Sequence, residues 1–247
     1  MDAAEITKKI SRKTRVLVLN SPHNPTGAVL DSATLQVLAD LAERHRLTVV
    51  SDEIYSQLVF EGEHRSIGSL PGMAERTVVV DGFSKAYAMA GWRLGYGVLP
   101  SAMVRYIERY IINTTSCAPP FVQKAGVVAL TGPQACVTEM RDEYRARRDF
   151  VVASLNRMEG VSCPVPRGAF YAFPSISGVL QGGKATAEEF AETLLDKSGL
   201  ACLPGSAFGN GGAEHLRLSF AASWPTLEMA LDVLNGVVKV SRSKSAV

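Results

Sequence analysis

Long apolar runs are missing from this sequence. No stretch approaches the roughly 20 residues a membrane-spanning helix needs. Paired cysteines are missing too. Cys117, Cys136, Cys163 and Cys202 lie 19, 27 and 39 residues apart, with no CxxC pair and no nearby histidine doublet, so a zinc site is not expected. The first twenty residues contain no apolar core of the kind that targets a chain for secretion, so the thiols read as reduced and the chain as cytosolic. Charge of one sign is also lacking. Lysine plus arginine number 26 and aspartate plus glutamate 24. No face is obliged to be basic, and nucleic acid is not the expected partner. The cluster Arg145, Arg147 and Arg148 reads as the solvated side of a helix. No internal repeat is evident, and the polar tail Ser241–Ser245 is expected to fray.

What is present is the composition of a globular protein: 247 residues, 47% hydrophobic and 20% charged, enough for one large domain or two modest ones. Short apolar segments at Val16–Leu19, Leu47–Ser51, Thr77–Asp81 and Leu94–Leu99 read as parallel strands covered on both faces. Between the first two, apolar residues at Leu35, Leu38, Ala39, Leu41 and Ala42 predict a helix over Asp31–His45, capped by Asp31 or Ser32. Ala102–Ile112 and Phe121–Thr131 predict two more. This alternation implies an open α/β sheet. Thr131-Gly132-Pro133 marks the best boundary, dividing a large domain (1–132) from a smaller α+β domain (133–247). The second opens with a long interdomain helix over Pro133–Met158, where Val137, Met140, Tyr144, Val151, Leu155 and Met158 form one stripe. After it come short strands at Val161–Cys163 and Phe170–Phe173, a helix at Ala187–Lys197, strands at Leu200–Leu203 and Leu216–Phe220, and a closing helix at Thr226–Val240.

Four segments place polar groups at the ends of predicted strands, the edge where ligands bind in open α/β sheets. Asn24-Pro25-Thr26-Gly27 follows the first strand in a turn made stiff by its prolines, which would hold the Asn24 amide in one orientation; His23 beside it reads as a surface loop residue. Asp52 ends the second strand with Tyr55 three residues on, an acid and a phenol that could grip a ring nitrogen and a ring hydroxyl, or simply a helix cap and a core tyrosine. Ser84-Lys85 lies between an apolar strand and an Ala/Met-rich turn. Burial there would depress the lysine's pKa and make a nucleophilic amine able to form an imine with an aldehyde. Arg93, eight residues on, could hold a phosphate. Arg217, one charge in an alternating strand, needs an anion if it is not exposed, and a carboxylate is the natural partner.

In order and spacing, Asn24-Pro25-Thr26-Gly27, Asp52-Glu53-x-Tyr55, Ser84-Lys85 through Gly91-x-Arg93-x-Gly95-Tyr96, and Arg217-x-Ser219-Phe220 resemble the class I/II aminotransferases of the pyridoxal-phosphate fold type I superfamily, aspartate aminotransferase-like enzymes above all. Gly168-Ala169-Phe170-Tyr171 and Pro204-Gly205-x-x-Phe208-Gly209 add to the likeness. The resemblance implies an α/β large domain, mostly parallel with helices on both faces, and a small α+β domain. It implies pyridoxal 5'-phosphate as cofactor, amino-acid and 2-oxo-acid substrates, and a homodimer. Lys85 would carry the cofactor and shuttle a proton. Asp52 would pair with the ring nitrogen, and Tyr55 and Asn24 with the phenolic oxygen. Arg93 would bind the phosphate and Arg217 the substrate carboxylate. A cis bond at Asn24-Pro25 is expected.

Two departures stand beside the resemblance. Relatives carry a phosphate-binding hydroxyl three residues before the lysine; here that position is Gly82, which leaves Ser84 as the nearest hydroxyl. Relatives also carry a much longer stretch before the Asn-Pro-Thr-Gly motif, so the chain is expected to correspond to the back of the large domain plus the small domain. Transamination is the first reading. A lyase on the same scaffold, such as a C–S lyase or an aminocyclopropane-carboxylate synthase-like enzyme, and a non-catalytic effector domain are the alternatives.

Overall fold

The computed structural model describes residues 3–180 and 185–243. They form two compact units: residues up to His23 together with Ala28–Glu139, and Asn24–Gly27 together with the described residues from Met140 onward. The division falls inside a helix, past the Gly132-Pro133 break.

The first unit is built on a four-stranded sheet, β1 (Val16–Asn20), β2 (Thr48–Asp52), β3 (Thr77–Gly82) and β4 (Gly95–Val98), in that spatial order. β1, β2 and β3 are parallel, with Asn20 opposite Asp52 and Asp52 opposite Val80. A short α1 (Ala3–Lys9) precedes β1, and α2 (Ser32–Arg44) links β1 to β2. The Asp31 carboxylate accepts the Thr34 N–H at 2.7 Å and caps α2, as its sequence position predicts. Leu35, Leu38, Ala39 and Ala42 bring the apolar side of α2 onto Leu19, Leu47, Val49, Ile67 and Met73 in one buried core. α3 (Ser101–Thr114) and α4 (Pro120–Thr131) follow β4.

α5 (Ala135–Leu155), which belongs to the second unit from Met140 on, leads to a three-stranded antiparallel sheet. Its strands β5 (Tyr171–Ala172), β6 (Leu203–Pro204) and β7 (Leu216–Ser219) are ordered β5-β7-β6. α6 (Ala187–Ser198) carries a full capping box between Thr186 and Glu189, and α7 (Trp224–Ser243) closes the described chain.

Several expectations change. β4 runs antiparallel to β3, not parallel. Val16, Val18 and Val80, which share the face away from α2, are 48%, 69% and 42% exposed in this chain. Val161–Cys163 makes only an isolated bridge, Ser162 to Ser175. The strand placed at Leu200–Leu203 begins at Leu203. Ser241–Ser243 continue α7 instead of fraying, while Lys244 and Ser245 lie outside the described residues. Arg148 is not solvated. It is 5% exposed, and donates to the Pro166 carbonyl at 3.1 Å and the Asp149 carboxylate at 2.8 Å. A buried guanidinium left without those acceptors would be costly, which is why the tertiary partner, not the helical pattern, decides its place. Arg145 and Arg147 are half-buried.

Replacing Arg148 by Ala should therefore lower unfolding stability by about 1.5–3 kcal/mol, the scale of a hydrogen bond to a charged group. Arg141→Ala, which removes only the exposed pair with Asp142, should stay within about 0.5 kcal/mol. Urea unfolding of the two variants checks the contrast.

Candidate active site

Three of the four motifs follow the C-terminal ends of β1, β2 and β3, which the parallel register sets side by side. Their ends are laced together. Ser21 N–H donates to the Asp52 carbonyl at 3.1 Å, Asn20 Nδ2 reaches the same carbonyl at 3.3 Å, and Glu53 N–H donates to the Val80 carbonyl at 2.9 Å. Asp52 is half-buried, and its Oδ1 accepts the Ile54 N–H at 3.2 Å. That bond starts the turn on which Tyr55 sits, 3% exposed. Ser56 N–H to the Glu53 carbonyl (2.7 Å) and Leu58 N–H to the Tyr55 carbonyl (2.8 Å) complete it.

β3 leads through Gly82 and Phe83 into Ser84 and Lys85, both half-buried. The turn is closed by Tyr87 and Met89 N–H groups donating to the Phe83 carbonyl and by Ala88 N–H donating to the Lys85 carbonyl. Lys85 Nζ lies 5.8 Å from the centre of the Tyr55 ring. Ala88 and Arg93 hold φ of 51° and 53°, the left-handed region that non-glycine residues avoid and that clusters at functional turns. Arg93 is exposed, and its guanidinium donates to the Ala90 carbonyl at 2.8 Å. Lys85, Tyr55, Asp52, Ser84 and Arg93 thus all belong to the first unit, the first two within reach of each other.

Asn24 and Arg217 belong to the second. Arg217 donates to Asn24 Oδ1 at 3.0 Å. This bond assigns the Asn24 amide, its oxygen taken by Arg217 and its NH₂ turned the other way. The Glu214 partner that an ordinary strand arginine might take is not used. The Gly27 carbonyl accepts both Arg167 and Gly168 N–H groups at 2.9 Å. At φ 67°, Gly27 packs so closely on Pro166 that a Cβ would collide with it. The Ser21-Pro22 and Asn24-Pro25 bonds are both cis, the second as expected. His23 is half-buried, not a surface residue, and burial lowers its pKa.

A buried carboxylate network went unrecognised in the sequence. Glu53 is 5% exposed. Its Oε1 accepts Ser51 Oγ (2.9 Å) and Ser66 Oγ (2.7 Å), and its Oε2 meets His64 Nε2 at 2.8 Å. Burial alone would raise the Glu53 pKa. The hydrogen bonds from His64, Ser66 and Ser51 outweigh it and hold the carboxyl below its ordinary value. Asp81, on the same sheet face, moves the other way. Burial raises its pKa despite bonds from Gly82 N–H (2.6 Å), Ser56 Oγ (3.2 Å) and Tyr96 Oη (3.3 Å). Burial and the neighbouring Asp81 charge push the Tyr96 phenol up to about 12. The one signal in the sequence was a second acid, Glu53, directly after Asp52 at the strand-to-turn junction.

A model of the aminotransferase class I and II family matches residues 1–234. The chain belongs to this family. It is 43% identical to an aspartate aminotransferase of Musicola paradisiaca over 234 residues, covering 92% of this chain and 58% of that protein. With an aspartate aminotransferase of Pyrococcus abyssi it shares 40% over 242 residues, 97% of this chain and 61% of the relative. Among solved structures, an aromatic aminotransferase from Pyrococcus horikoshii superposes with a TM-score of 0.92 at 40% identity, over 98% of this chain and 64% of that one. The chain spans about three fifths of the length of these relatives. The mixed α/β fold with its parallel-dominated sheet is that of the family.

Glu53→Gln should cost about 1.5–3 kcal/mol of stability at neutral pH, since it weakens several bonds to a buried charge. Because the folded pKa of Glu53 lies below its ordinary value, that contribution is complete above the ordinary value of 4.5. It is lost as pH falls through the lower, folded one. The gap between wild type and Glu53→Gln in urea midpoints should therefore close on acidification below that point.

Proposed function

We propose that this protein is a pyridoxal-phosphate-dependent transaminase moving an amino group between an L-amino acid, aspartate-like or broad, and a 2-oxo acid. The observation that carries the reading is the register Asn20–Asp52–Val80, which sets an acid, a buried phenol and a half-buried amine at one sheet edge in a chain of the class I and II aminotransferase family.

The donor set fits the cofactor group by group. Lys85 offers a primary amine for the aldehyde, Asp52 an anion for the ring nitrogen, Tyr55 a phenol for the ring oxygen, and Arg93 a guanidinium for the phosphate, with Ser84 as a second phosphate donor. Asn24, whose Oδ1 accepts from Arg217, would offer its amide N–H to the ring oxygen. When bound, the cofactor supplies an electron sink for the pair released at the substrate α-carbon. The chain's own residues do the rest. Asp52 keeps a proton on the ring nitrogen. Tyr55 and Asn24 stabilise negative charge on the ring oxygen. Lys85 Nζ would take the proton from the substrate α-carbon and hold it for return. Arg217 orients the substrate through its carboxylate. A homodimer and a cytosolic location belong to the same reading. Transamination itself is what the aspartate and aromatic aminotransferases among the similar proteins support.

The test is the half-reaction. With pyridoxal phosphate and L-aspartate, the protein should convert the bound cofactor to its amine form, and 2-oxoglutarate should return it. Release of a 2-oxo acid and ammonia without need of a second oxo acid would instead indicate a lyase. Asp52→Ala should slow the half-reaction by roughly 10²–10³-fold, whereas Tyr55→Phe should slow it by about tenfold or less. Tyr55→Phe should also move the titration of the cofactor's absorbance to higher pH, because the anionic oxygen loses a donor.

A further inference from the structure

Arg217 is half-buried, and among the described residues no acidic side chain pairs with it; the hydrogen bond of its guanidinium goes to the neutral Asn24 amide. Two aromatic rings take the place of a counter-ion. The guanidinium carbon lies 4.5 Å from the centre of the Tyr171 ring and 4.9 Å from that of Phe208. Neither ring is loose. Tyr171 is 7% exposed, and its ring lies 4.8 Å from that of Phe170. Phe208 ends a short 3-10 turn (Gly205–Phe208) and meets Phe173 edge-on at 6.3 Å. Phe173 in turn stacks on His215 at 4.9 Å and 13°.

We propose that Tyr171 and Phe208 are positioning residues that hold the Arg217 guanidinium in a fixed plane, so that its free N–H edge meets a planar carboxylate. The physical basis is directional. A cation over an aromatic face is attracted by the ring quadrupole, and in a half-desolvated place that attraction stands in for an acid. The N–H groups of a guanidinium all lie in its own plane. Contacts made by the aromatic faces therefore leave the N–H donors unspent, apart from the one given to Asn24. An acidic partner would have consumed the same donors that a substrate carboxylate needs. The rings thus stabilise the charge without competing for the ligand. Their segments, Gly168–Tyr171 and Pro204–Gly209, are sequence features to which the functional reading assigns no role.

This proposal rests on the reading of Arg217 as the carboxylate clamp, and the experiment separates the two. Steady-state kinetics with L-aspartate and 2-oxoglutarate are compared for Phe208→Leu, Tyr171→Leu, Tyr171→Phe and Arg217→Lys, and for Phe208→Leu combined with Arg217→Lys. The two leucine variants should raise KM for both substrates roughly three- to tenfold, with kcat within about twofold, since binding common to ground and transition states is what is lost. Tyr171→Phe, which keeps the ring, should restore KM. Phe208→Leu should add little once Arg217 is lysine, because the two changes act through one group. In cofactor-free protein, exchange of the Arg217 Nε–H followed by ¹⁵N NMR should quicken in the leucine variants. Should Tyr171→Leu fail to fold, the more exposed Phe208→Leu carries the test. Unchanged KM and unchanged Nε–H exchange in Phe208→Leu, with a raised KM in Arg217→Lys, would overturn the role of the rings alone. Unchanged KM in Arg217→Lys would overturn the clamp and the proposal with it.

Discussion

Asn20, Asp52 and Val80 stand abreast on three parallel strands, and the placing of the first unit's chemical groups depends on that register. Side chains alternate along a strand, so a slip of one residue in β2 would carry Asp52 to the α2-covered face and turn Glu53 outward. The core resists such a slip. Leu19 and Val49 sit against α2, and exchanging them for their neighbours would bury the wrong set. The exit of each strand is fixed by its neighbour, through Ser21 N–H on the Asp52 carbonyl and Glu53 N–H on that of Val80.

The two sheet faces then divide the work. Ser51, Glu53 and Asp81 share the face that α2 covers, where burial demands partners for every charge, and Ser66, His64, Ser56 and Tyr96 supply them. Asp52 lies on the opposite face with Val18 and Val80, both exposed. The adjacent carboxylates of Asp52 and Glu53 thus have different duties because the pleat sends them to different environments. Glu53 anchors the junction between strand and turn, and the Asp52–Tyr55 turn is hung from it by the Ser56 N–H on the Glu53 carbonyl.

What could be read from the sequence follows from how local each feature is. α2 and its Asp31 cap were legible because periodicity and capping are set within a few residues of chain. Three of the four motifs were legible because each follows a strand end, and the match to a family rests on the order of all four. The direction of β4 was not, since a four-residue strand reads alike in either direction. Arg148 was misread because the Pro166 carbonyl that holds it comes from a distant segment, and the helical stripe carries no trace of it. The Glu53–His64 pair spans eleven residues of irregular chain, and the rings around Arg217 lie on other segments of their unit; neither has a spacing rule that would reveal it.

The most direct test of this account is where the cofactor attaches. The protein loaded with pyridoxal phosphate is reduced with borohydride, digested and mapped by mass spectrometry. The account predicts a pyridoxyl group on Lys85, the lysine that follows β3 and lies beside the buried Tyr55 ring. A label on Lys124 or on any lysine outside the turn after β3 would contradict it.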